Sequence, residues 1–157
     1  MSVVSDVGLL VPAFRDRLRA VLIALRGQGY KPRVFETWRS PERAAALVDK
    51  GASKAKGGLS MHCYGCAADV ICLDHGWDCH KAKPVCKFFS ALCLAAQDEG
   101  LTSGANWDGD KLIGERGEND LPHIQGVPAT RAFQDAVRAA PGPAAVNALV
   151  QRALAAH

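Results

Sequence analysis

Apolar residues recur at helical spacing early in the chain: Phe14, Leu18, Val21, Leu22 and Leu25 share one face, and "GQG" at 27–29 follows with residues that tolerate a positive φ. The pattern predicts an amphipathic first helix ending near Gly27. "RVFETW", 33–38, alternates well enough for a short strand. "SPER" at 40–43 then offers a serine N-cap with proline at the first helical position, which predicts a helix over about 41–50. "KGASKAKGGLS", 50–60, is rich in glycine and lysine and reads as a mobile loop. "AADVICL", 67–73, has the β-branched apolar character of a buried strand, while "KPVCKFFSALCLAAQDEG", 83–100, starts at a proline and stops at a glycine as helices do. The turn-rich stretch 101–126 ends in a short segment expected to pair in the sheet. "PATRAFQDAVRAA" and "PAAVNALVQRALAAH" read as two C-terminal helices divided by Pro141 and Pro143. No repeat and no long linker interrupts this order, so a single domain over 1–157 is expected, with residues 128–156 packed on the core.

Composition adds little to that picture but excludes some classes. The chain has 157 residues, 48% of them hydrophobic and 22% charged, ordinary for a soluble globular domain. Its net charge of +3 is spread along the chain, which gives no support to a nucleic-acid partner and leaves only weak attraction to an acidic surface such as a bacterial wall. No stretch approaches the roughly 18–20 apolar residues needed to cross a bilayer. "MSVVSDVGLLVPAFRDR" lacks a basic n-region and a cleavage site, so no signal peptide and a cytoplasmic product are expected. All six cysteines fall between 63 and 93, and in that compartment they are expected to be reduced thiols.

Chemistry concentrates in "SMHCYGCAADV", 60–70, with a histidine, two cysteines and an aspartate within eight positions. A structural zinc site wants two close pairs of ligands. Cys63 and Cys66 make one pair, but Cys72, Cys79, Cys86 and Cys93 are each seven apart, and a second pair would be a looser Cys79/His80 or His75/Cys79 arrangement. The simpler reading puts Cys86 and Cys93 on one helix face and Cys72 in a core strand, as small buried hydrophobes. The other metal reading takes His62 and Asp69 and adds His123 from "NDLPHIQ", 119–125. Three protein ligands with a fourth position open to water is the pattern of catalytic zinc. Asp120, three residues before His123, could then serve as general base and afterwards as acid.

The same residues resemble the signature of the peptidase M15 family, Ser-x-His-x-x-Gly-x-Ala-x-Asp, matched by Ser60, His62, Gly65, Ala67 and Asp69. That family includes D-Ala-D-Ala carboxypeptidases, D-Ala-D-Ala dipeptidases and phage L-alanyl-D-glutamate endolysins. "GLTSGANW", 100–107, is similar to the family's stretch before its last ligand, and "DLPHIQ" resembles the Asp-x-Pro-His-hydrophobic-Gln ending of the endolysin branch. Upstream, "TWRSPERA" is similar to its Arg-Ser-x-x-Arg segment. The resemblance covers about residues 30–125 in the correct order.

The resemblance implies Zn2+ on His62, Asp69 and His123, with Asp120 as the catalytic carboxylate. It implies Arg39 near the scissile carbonyl or a substrate carboxylate, where the bland alternative is a salt bridge at a helix start. Ser60 and Trp107 would line the substrate side. The fold implied is α+β, a small antiparallel sheet flanked by helices, of the Hedgehog/DD-peptidase kind, which the order of helices and strands allows. The activity implied is hydrolysis of an amide bond in the peptidoglycan stem peptide, L-Ala-D-Glu first, by a monomeric phage-type endolysin that stays in the host cytoplasm until it is released to the cell wall. Removal of D-Ala from a D-Ala-D-Ala end, or a non-catalytic wall-binding module of the same fold, are the alternatives. Cysteines at 63 and 66 depart from the signature and raise a second metal, competition for zinc, or sensitivity to oxidation.

Overall fold

Five α-helices and four short strands make up the computed structural model, which describes residues 2–52, 60–78, 85–110 and 112–157. Helix α1 (Pro12–Gly27) buries Phe14, Leu18, Val21, Leu22 and Leu25, the five positions of the predicted stripe. Each contributes about 1.5–3 kcal/mol by leaving water. Val11 gives α1 no side-chain cap; the N–H of Ala13 instead donates to Oδ1 of Asn147, 134 positions on, at 2.8 Å. One of the first unpaired N–H groups of α1 is thereby satisfied by the last helix of the chain.

Strand β1 (Pro32–Glu36) is shorter at its end than the pattern suggested, because the chain turns at Thr37, whose N–H and hydroxyl both donate to the carbonyl of Val4. Helix α2 (Pro41–Asp49) starts as expected, with the Ser40 hydroxyl accepting from the N–H of Arg43. The loop expected at 50–60 lies largely outside the described residues. Strand β2 (Ala67–Cys72) is buried at every position, which is why it shows no alternation. Helix α3 (Lys87–Asp98) begins later than 83; residues 83 and 84 lie outside the described residues, and Cys86 stands extended as its N-cap. β3 (Thr102–Ser103) and β4 (His123–Gln125) complete the sheet, and α4 (Arg131–Ala139) and α5 (Pro143–Ala155) follow.

The sheet is antiparallel throughout in the order β1-β2-β4-β3, so the fold is α+β, as expected. α1 packs on α3 and α5, and the core is closed by Phe88, Phe89 and Leu92 of α3 with Val146 and Val150 of α5. Among the described residues no helix is long and apolar enough to cross a membrane.

Two expectations about cysteine need correction. Cys86 is disulfide-bonded, whereas Cys63, Cys66, Cys72 and Cys93 are free. Cys86 also does not share a helix face with Cys93, because it precedes the first turn of α3 in an extended conformation.

Candidate metal centre

Register builds the centre. Asp69 on β2 lies directly opposite His123 on β4, and directly opposite residues of an antiparallel pair point to the same side of the sheet. On the other edge of β2 the pairing slips: Val34 faces Val70, but Glu36 faces Asp69, so a bulge at Phe35 carries Glu36 opposite Asp69. One row of side chains, Glu36, Asp69 and His123, therefore crosses three strands. His62 arrives from a 3₁₀ turn (Met61–Tyr64) that Ser60 caps by accepting the N–H of His62 at 3.4 Å and that ends at Gly65, φ 69°. A side chain at position 65 would need this left-handed backbone and would press on the carbonyl of Leu9 at 2.7 Å.

The distances suit a metal. Nε2 of His62 is 3.3 Å from Oδ1 of Asp69, and Nδ1 of His123 is 3.5 Å from the same oxygen. Bonds of about 2.0–2.2 Å from zinc to nitrogen and oxygen give a tetrahedron with edges of roughly 3.3–3.6 Å. One ligand atom from each of the three residues lies within 4.8 Å of the others, so the group could bind a metal ion. Nε2 of His62 is fully buried and has no hydrogen-bond partner, an expensive arrangement unless a ligand meets it.

Each imidazole is also held from behind. Nδ1 of His62 is 2.8 Å from the carbonyl oxygen of Thr37, which only an N–H can satisfy, so the lone pair is left on Nε2. Nε2 of His123 is 2.9 Å from Oε1 of Gln125, whose amide donates to the carbonyl of Val127 at 2.8 Å. That leaves Nδ1 of His123 for a metal.

Charge follows geometry. Burial alone would raise the Asp69 carboxyl, but the imidazoles of His62 and His123 facing it hold it well below the ordinary carboxylate range. His123 is the converse: burial opposes its charge, while Asp69 and Asp120 raise its pKa. Oδ2 of Asp120 is 4.0 Å from Nδ1 of His123, and the Asp120 side chain is 55% exposed. The protein around the carboxyl removes water from its inner side and Asp69 adds negative charge, so its pKa is raised, although its open side limits that effect.

The remaining expected residues have identifiable partners. Arg39 is buried; its terminal Nη2 donates to Glu36 at 2.7 Å and reaches Oδ2 of Asp69 at 3.5 Å, while its Nε is buried without a partner. The hydroxyl of Ser60 serves the turn. Trp107 tilts against His123 with ring centroids 5.4 Å apart, and its backbone N–H donates to the buried Glu118. Gly104 packs so closely on Asp120 that a Cβ there would collide with the Asp120 carbonyl.

Cys63 and Cys66 do not join the centre. The Cys66 thiol is fully buried and donates to the carbonyl of Met61 at 3.6 Å, and neither sulfur is among the grouped ligand atoms. Cys79 and His80, needed for the alternative second pair, lie outside the described residues. The exposed group Asp108, Asp110 and Glu115 is a self-capped turn, with Asp108 accepting from the N–H of Asp110 and Asp110 from that of Leu112.

Glu36, Thr37, Gly104, Glu118 and Gln125 were not identified from the sequence as supports of the site. Glu36 left one signal: arginines three and seven residues on, at 39 and 43, both of which it binds.

No family model and no curated protein matches the chain. Among solved structures it is similar to the L-Ala D-Glu endopeptidase ChiX of Serratia marcescens, at 26% identity over 76% of this chain and 82% of that chain, with a TM-score of 0.51.

Proposed function

We propose that this protein is a zinc-dependent peptidoglycan peptidase that hydrolyses the L-Ala-D-Glu bond of the stem peptide. The observation that carries the reading is the spacing of His62 Nε2, Asp69 Oδ1 and His123 Nδ1, two tetrahedral edges built from a donor set that suits zinc. Similarity to the structure of an L-Ala D-Glu endopeptidase supports the substrate.

Zinc, when bound, supplies Lewis acidity to water and to an amide carbonyl, which are otherwise a poor nucleophile and a poor electrophile. The chain supplies the proton traffic. Asp120 stands beside His123 with an open face and a raised pKa, so it can accept a proton from the attacking water and deliver it to the leaving amine. Arg39 brings a positive guanidinium beside Asp69, where its charge could offset that developing on the carbonyl oxygen. Trp107 walls one side of His123. A phage-type lysis enzyme, reaching the wall from the cytoplasm through a separate membrane-permeabilising protein, is the setting we infer from the Asp-x-Pro-His form of its ending.

Digestion of purified peptidoglycan with wild type and His62→Ala, with and without a chelator, tests the proposal by mass spectrometry of new termini. A new N-terminal D-Glu made only by metal-loaded wild type is the expected result. Release of D-Ala would move the substrate to the D-Ala-D-Ala end, and zinc uptake without cleavage of any bond would overturn the enzyme reading in favour of a wall-binding module.

A further inference from the structure

The bulge at Phe35 places a buried carboxylate, Glu36, beside the candidate metal centre without making it a ligand. Glu36 is 2% exposed and both its oxygens are engaged, Oε2 by Arg39 at 2.7 Å and Oε1 by Arg43 at 2.6 Å. Four charges alternate in a line: Arg43, Glu36, Arg39, Asp69. The spacings along it are unequal. The Arg39–Glu36 contact has the length of a strong charge-assisted hydrogen bond, whereas Arg39–Asp69 at 3.5 Å sits at the outer limit of one.

The consequence concerns Asp69, whose two oxygens are divided. Oδ1 faces both histidines, and Oδ2 faces Arg39. A guanidinium drawn fully onto Asp69 would grip the carboxylate with two donors and compete with a cation for it, since a carboxylate readily accepts arginine bidentately. We propose that Glu36 is a positioning residue that restrains Arg39, so that Asp69 keeps Oδ1 free as a single-oxygen metal ligand. This deepens the zinc reading above and rests on it. Arg43 closes the other end of the line by holding Glu36 in place.

The test measures zinc affinity, which does not require turnover. Metal-stripped wild type, Glu36→Gln, Arg39→Gln and the double variant are titrated with Zn2+ against a chromophoric chelator, with circular dichroism as the check on folding. Glu36→Gln is expected to lower zinc affinity by about 10–100-fold, the usual effect of removing a partner behind a metal ligand. In the Arg39→Gln background the same substitution is expected to change affinity by less than about 3-fold, because the competitor is gone. An equal loss in both backgrounds would make Glu36 general structural support and overturn the proposal, as would no loss in either. If Glu36→Gln does not fold, Glu36→Asp enters the same cycle, keeping the charge but withdrawing it by one methylene, and is judged by the same comparison. Wild type that takes up no zinc would overturn the metal reading itself, a result separable from the behaviour of any Glu36 variant.

Discussion

Oε1 of Gln125 lies 2.9 Å from Nε2 of His123, and the amide of Gln125 is in turn tied to the carbonyl of Val127. The orientation of that amide decides which nitrogen of His123 carries its proton and which one faces Asp69. Gln125→Leu removes the anchor while keeping the volume. Zinc affinity is expected to fall by about 10–100-fold, read by chelator competition, with the fold retained by circular dichroism.

Asp120→Asn keeps the shape beside His123 and removes the proton acceptor. Turnover on peptidoglycan fragments is expected to fall by about 10²–10⁴-fold. Zinc content, measured by elemental analysis, is expected to stay at the wild-type ratio, since Asp120 is not among the three grouped ligand atoms. Loss of zinc together with activity would make Asp120 a ligand instead.

Gly104 donates its N–H to the carbonyl of His123 and accepts the N–H of Asp120, so it braces the segment that carries both residues from the β3 side of the sheet. Gly104→Ala forces a Cβ onto the carbonyl of Asp120. A fit this tight is expected to cost about 1–3 kcal/mol of stability by thermal melting. Because the clash falls on Asp120, which is not among the three grouped ligand atoms, kcat is expected to fall more than zinc affinity.

The buried Glu36 sets a pH dependence of stability. Burial alone would raise its carboxyl, but hydrogen bonds from Arg39 and then Arg43, with their positive charge, hold it below its ordinary value of 4.5. A group with a lowered folded pKa contributes stability that is present above the unfolded pKa and is lost as pH falls through the folded one. Wild type is therefore expected to lose Tm steadily below about pH 4.5, and Glu36→Gln to start lower at neutral pH with a flatter profile. Thermal melts from pH 7 to pH 3 compare the two. Leaving Arg39 without this partner is expected to cost about 3–5 kcal/mol at neutral pH.

Cys63→Ser is expected to leave zinc content and activity near wild type, because Cys63 is not among the grouped ligand atoms. Parallel loss of zinc and of fold would restore the structural cysteine module.

The helices were legible where one face alone is buried. The stripe of α1 and the Ser40-Pro41 start of α2 read directly from the chain, because periodicity and capping are local. β2 was recognisable from an apolar run broken only by Asp69, but β3, two residues long, carries too little pattern to be seen. His62, Asp69, Asp120 and His123 were brought into view by a motif, not by periodicity. Their supports were not, for a physical reason: Thr37 acts through a backbone carbonyl, Gly104 through the absence of a side chain, and Glu36 through a bulge in strand pairing. Of these only Glu36 left a signal, in the arginines at 39 and 43. The disulfide at Cys86 was missed because the compartment argument treats all six cysteines alike.

Asp69 and His123 meet only because β2 and β4 are aligned at that rung. A slip of β4 by one position would present Pro122 or Ile124 to Asp69, with the hydrophobic content of the strand nearly unchanged. Under the proposed function, quality control would coincide with activity: a misaligned chain that still collapses would be inert, and metal uptake would report whether each molecule had zipped its sheet correctly.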